Sequence, residues 1–202
     1  GVLALPSRNI VADAGGNSLV EVRANGKTRT LAVFPGQMAP LLLTREEWHR
    51  ASDVFPIEVV DLQDAHRLLR GADPVSTLRT NPVHLRLALE ADLRGKLLRL
   101  RRGYVALHQD PIAMSRLLSS GSSQMALLFR ALHRLVGRDI PREREAVIRG
   151  AAALAGFDAE AILAVDGHRG AGDWRASRAE YECYIGAVEI AVRRAQTAER
   201  AR

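Results

Sequence analysis

Cysteine occurs once in the 202 residues, as Cys183. A lone thiol closes no intrachain disulfide and builds no cysteine-based zinc site, a pattern that suits a reducing compartment. Aromatic residues make up only 4% of the chain, too few for the stacking platforms on which single-stranded nucleic acid is held. Lysine is nearly missing too: of 29 basic side chains only Lys27 and Lys96 are lysines, and the rest are arginine. A GC-rich coding sequence produces this bias, so the formal charge of +6 does not by itself indicate a polyanionic partner. No stretch reaches the roughly 18 apolar residues of a membrane span. The opening GVLALPSRNI lacks the charged flank and longer apolar centre of a signal peptide. A cytoplasmic protein without a membrane partner is expected.

What is present is ordinary for a globular chain, 47% hydrophobic and 26% charged. Its pattern changes near residue 80. Before that point the apolar runs are short and strand-like. SLVEVRANGKTRTLAVF carries Asn25-Gly26 between two alternating runs, which predicts a hairpin with a two-residue turn. That pairing sets Val20, Val22, Leu31 and Val33 on one face. Thr44 followed by Glu46 and Glu47 reads as a helix N-cap with an acidic first turn. FPIEVVDL then reads as a strand with Pro56 at its entrance, followed by about two helical turns ending at Gly71.

After residue 80 the periodicity is helical. Leu85, Leu89, Leu93, Leu97, Leu100 and Tyr104 recur every three or four residues, as do Met125, Leu128, Phe129, Leu132 and Val136. Serine reads as the cap of that second helix, and Gly137 as its stop. Three further helices follow, the last bearing Tyr181, Ile185, Val188 and Val192, with Ser177 and Glu180 at capping-box spacing. Five helices with short links predict a bundle. The expected organisation is an α/β region over residues 1–80 and a helical bundle over 81–202.

Few motifs carry chemistry. Gly26-Lys27-Thr28 imitates the end of a phosphate-binding loop, but Glu21 stands where the first glycine is required. Glu58 and Asp61 sit in a run that otherwise reads as buried strand, where carboxylates need a cation, either arginine or metal. Strand alternation points them to opposite sides, so at most one would ligate a given metal. In DLRGKLLRLRR, Arg94, Lys96 and Arg99 are candidate phosphate donors. Asp92, Lys96 and Arg99 share one helix seam, and Arg86, Glu90, Arg94 and Arg101 share another. Glu90 and Asp92 interrupt the basic stretch, which argues against a nucleic-acid groove. Gly95, in mid-helix, suggests close packing against its backbone.

Three blocks, PLLLTREEWHRASDVFPIEVVDLQDAHRLLRGADP, HLRLALEADLRGKLLRLRRGY and SSQMALLFRALHRLVG, resemble a bacterial group of nucleotidyltransferase-like proteins within the polymerase-β-type superfamily. The resemblance spans roughly residues 40 to 165. It implies an α+β fold, with a small N-terminal mixed sheet (a partial nucleotidyltransferase domain) followed by a C-terminal α-helical bundle. It also implies Mg²⁺ and a nucleoside triphosphate as cofactors, and transfer of a nucleotide to an unknown acceptor. Asp61 takes the position of the superfamily's third metal-binding carboxylate, with Glu58 second to it. Gly15-Gly16-Asn17-Ser18 imitates the superfamily's glycine loop, but no Asp-x-Asp pair follows. The expected consequence is weak or no activity in this chain. The alternative expectation is a non-catalytic helical module that binds a protein or nucleic-acid partner through its arginine-rich face.

Overall fold

A meander of short strands forms where the N-terminal pattern alternates. The computed structural model describes residues 2–13, 18–33, 42–68, 72–169 and 173–198. Strands β1 (Val2–Leu5), β2 (Arg8–Asp13), β3 (Ser18–Arg23) and β4 (Thr28–Val33) pair in sequence order as an antiparallel sheet. The β3–β4 hairpin closes through three residues and not two. Arg23 donates its N–H to Lys27 O, and Gly26 donates to Arg23 O while holding φ at 78°, which glycine adopts without a Cβ penalty. The longer loop moves the register by one, so Val20 faces Thr30, Val22 faces Thr28, and Leu31 is exposed. A β-irregularity between Leu19 and Val20 accommodates the shift. Buried Glu21 accepts hydrogen bonds from Arg8 at 2.9 Å and Arg23 at 3.3 Å. The Arg8 bond, aided by Arg23, holds its carboxyl below the usual range. Helix α1 (Arg45–Ala51) follows, with Thr44 and Glu47 exchanging the two bonds of a capping box. Residues Gly1–Ala51 make one compact unit.

Ser52–Arg202 make the other unit, which the described residues show as helical. The chain is thus α+β, with an antiparallel rather than a mixed sheet among the described residues. The stretch read as a strand is helix α2 (Pro56–Asp64). Proline at the first helical position is as favourable as at a strand entrance, and Ile57, Val59 and Val60 are all buried, Ile57 and Val60 within the bundle core. Packing therefore overrides β-branched propensity. The helix expected to end at Gly71 is this same element, already closed at Asp64; residues 69–71 and the imitation glycine loop at 15–17 lie outside the described residues.

Helices α3 (Pro82–Leu107), α4 (Pro111–Leu135), α5 (Arg144–Ala155), α6 (Ala159–Gly167) and α7 (Arg178–Thr197) complete the bundle. The leucine stripe of α3 packs against Met125, Leu128, Phe129 and Leu132 of α4 and against Tyr181, Val188 and Val192 of α7. Each such side chain contributes about 1.5–3 kcal/mol on burial. The serines near residue 120 do not cap a helix. Asp110 caps α4 instead, accepting from Ile112 and Ala113 N–H. Ser120 lies inside the helix and returns its hydroxyl to Leu117 O at 2.9 Å. The capping box of Ser177 and Glu180 opens α7.

Candidate anion-binding site

Asp61 is tied by an arginine. Arg130 Nε donates to Asp61 Oδ1 at 2.8 Å, and one turn on, Arg134 pairs with Asp64. In α2 these aspartates stand three apart, which puts both on the side facing α4. Glu58, by contrast, is exposed and forms no ion pair among the described residues. These donors do not fit Mg²⁺, which wants several oxygens in octahedral array. Asp61 is committed to a guanidinium, and among the described residues no cluster of three metal-ligating side chains occurs.

The arginines themselves create a cationic concavity in the helical unit. Arg130, Arg134, Arg138 and Arg142 recur every four residues and line a cleft of about 560 Å³ with Asp64, Asp139, Ile140 and Pro141. Its shape follows from the end of α4. Gly137, at φ 70°, donates to Arg134 O, and Arg138 donates to His133 O, so the chain leaves α4 in a left-handed turn. That turn brings the 138–142 segment back beside the last two turns of the helix. Arg130 and Arg134 are oriented by Asp61 and Asp64, whereas Arg138 and Arg142 are exposed and form no ion pair among the described residues.

A second pocket, about 260 Å³, lies on the other side of Arg134. Val60, Leu78, Pro82, Leu85 and Leu135 give it apolar walls, with Gln63 and Arg79 at its polar edge. The Thr80 hydroxyl in this wall is buried without a hydrogen-bond partner. Buried polar groups are rarely left in that state, and a ligand group or an ordered water completes them.

The predicted phosphate donors of α3 divide. Arg94 binds Glu90 at 2.9 Å and turns away from the other two. That bond, with help from Gln196, lowers the Glu90 carboxyl below its usual range. Lys96 and Arg99 come together at a small recess beside Gly121 and Tyr184. Gly95 is exposed, and among the described residues nothing beyond its own stretch of helix lies within 4 Å of where a Cβ would stand, so no close packing explains it. The spacing of four from Arg130 to Arg142 was the available signal for the larger cleft. It is hidden in the sequence because Gly137 ends the helix between the two pairs. No protein-family model, no curated protein and no solved structure matches the chain. Among the described residues no helix is long and apolar enough to cross a membrane.

Proposed function

We propose that the helical unit binds a nucleoside polyphosphate across Arg134, phosphates toward Arg130, Arg138 and Arg142 and base toward the Val60–Leu135 pocket. One observation carries this reading: a cationic cleft and a pocket of mixed apolar and polar lining share a single guanidinium. Guanidinium groups match phosphate oxygens through paired hydrogen bonds. The combined space is within the range of small-molecule sites. This is the ligand that the nucleotidyltransferase resemblance implies, in a protein whose own transfer of the nucleotide to an acceptor is weak or nil. The commitment of Asp61 to Arg130 supports that limit.

The test is calorimetric titration with ATP, with and without Mg²⁺. Binding is expected in both conditions, weakening with salt. Arg138→Ala and Arg142→Ala should each lower affinity about tenfold, the usual effect of losing one charge-assisted hydrogen bond. Pyrophosphate release from MgATP should be negligible. No heat of binding to the intact chain, or a Mg²⁺ requirement, would overturn the reading.

A second reading has its own support. The outer face of α3 exposes Val83, Leu87, Leu98 and Val105, while Arg99 and Arg102 beside them form no ion pair among the described residues. A non-catalytic module that docks a protein through this mixed apolar and cationic stripe accounts for a helix that is apolar on two faces.

A further inference from the structure

The outer face of α3 carries a charge pattern that complements itself when the helix is reversed. Leu87, Ala91, Leu98, Arg102 and Val105 fall within about 60° of one another around the helix. They lie on the side away from the buried leucine stripe, and all five are exposed. Asp92 and Arg99, also exposed, share one flank of this face. About 10 Å of helix separates the two, too far for them to pair within one chain. Asp92, Arg99 and Arg102 form no ion pair among the described residues; Asp92 has only the longer-range attraction of Lys96, one turn on. The other flank is already neutralised internally, with Glu90 holding Arg86 and Arg94, and Glu189 holding Arg101.

We propose that this face docks a second copy of the chain, α3 against α3 and antiparallel, about a twofold axis between Gly95 and Lys96. The inference rests on the second reading above, that the stripe docks a protein, and it names that protein. Such an axis brings residue 92 of one copy level with residue 99 of the other and keeps both on the same flank. Each Asp92 then meets the other copy's Arg99, with Arg102 one turn further on. Two equivalent ion pairs form from charges that a single copy leaves unpaired. The apolar side chains obey the same operator: Leu98 lies over the turn from Ala91 to Gly95 of the other copy, and Leu87 lies beside its Val105. A parallel pair would set Asp92 against Asp92 and Arg99 against Arg99, which repels. The stripe from Val83 to Val105 is about 33 Å long and about 10 Å wide. That is under half of the roughly 800 Å² per partner in a standard interface, so the dimer is a weak, reversible one.

The experiment is sedimentation equilibrium of the intact chain from about 1 to about 500 µM. Expected is a monomer–dimer equilibrium with a Kd of about 10–100 µM. Asp92→Arg and Arg99→Asp should each weaken it about tenfold, because symmetry turns two attractions into two repulsions. Mixed in equal amounts, these two variants should associate about as strongly as the unmodified chain, since each now carries the other's complement. All the positions are exposed, and far-ultraviolet circular dichroism checks the fold. Should a reversal fail to fold, the milder Asp92→Asn and Arg99→Gln should each weaken association about threefold. A chain that stays monomeric at about 500 µM, or a mixture no stronger than either variant alone, would overturn the self-association. The broader reading fails by a separate result: a photoreactive residue in place of Leu98 that cross-links no protein reproducibly in a lysate.

Discussion

Asp61 looks like a metal ligand in the sequence and is an arginine partner in the fold, and one substitution separates the two roles. Removing its charge leaves Arg130 unopposed at the rim of the cleft. Asp61→Asn should therefore strengthen ATP binding a few-fold at low salt, with the gain fading as salt screens it. The stability loss should stay below about 1 kcal/mol, since the pair is partly solvated. If Asp61 held Mg²⁺, the same change would weaken binding of MgATP and leave free ATP alone, so paired titrations distinguish the outcomes. A cation partner for a carboxylate here was legible only through a buried-strand reading that fits neither residue, since Asp61 is partly solvated and Glu58 is exposed. Which cation was not, because Arg130 lies 69 residues away and nothing local announces the contact.

At the scale of elements, two glycines in helices make opposite predictions. A Cβ at Gly150 of α5 would come within 2.4 Å of the His133 ring, itself buried and bonded through Nε2 to Val147 O. The ring is stiff and enclosed, so Gly150→Ala should cost about 1–3 kcal/mol, the usual penalty of overpacking. Gly95→Ala meets open space in an ordinary helix and should stabilise by up to about 1 kcal/mol. Urea midpoints at constant slope measure both. The sequence predicts the reverse for Gly95, since a costly residue suggests a packing reason. Elements were legible where one period dominated: the stripes of α3, α4 and α7 are the core, with Tyr104 and Ile185 at its margin. They were misread where two signals coincide. Phe55-Pro56 with β-branched neighbours serves a strand entrance or a helix start equally well, and only the α4 surface decides. The serines of α4 likewise suit a cap, until Asp110 is seen to begin the helix ten residues earlier.

For the whole molecule, the buried phenols of α7 set the response to alkali. Burial pushes Tyr181 up from 10.0 to about 12, and Tyr184 higher still, Asp166 adding to that effect. Tyr181 also donates its hydroxyl to Leu100 O at 2.9 Å, a bond lost on ionisation. The folded values lie above the unfolded ones, so this stability is fully present below pH 10 and is lost as pH rises through the folded values. Between those limits the unfolded chain has released protons that the fold retains, at about 1.4 kcal/mol per phenol per pH unit. Lys96 acts with the opposite sign. Its folded value is lowered, so just below 10.5 the unfolded chain holds the extra proton and stability rises with pH. Denaturation midpoints followed from pH 8 to 12 should therefore climb slightly, then fall. Tyr184→Phe should flatten the fall, and Lys96→Met should remove its share of the climb. In a Tyr104→Phe background, which leaves only the two tyrosines of α7, ultraviolet absorbance at the tyrosinate band should rise together with unfolding and not before it. Ionisation of α7 tyrosines in a chain that is still folded would show that the bundle admits water around them, and the burial argument would fail with it.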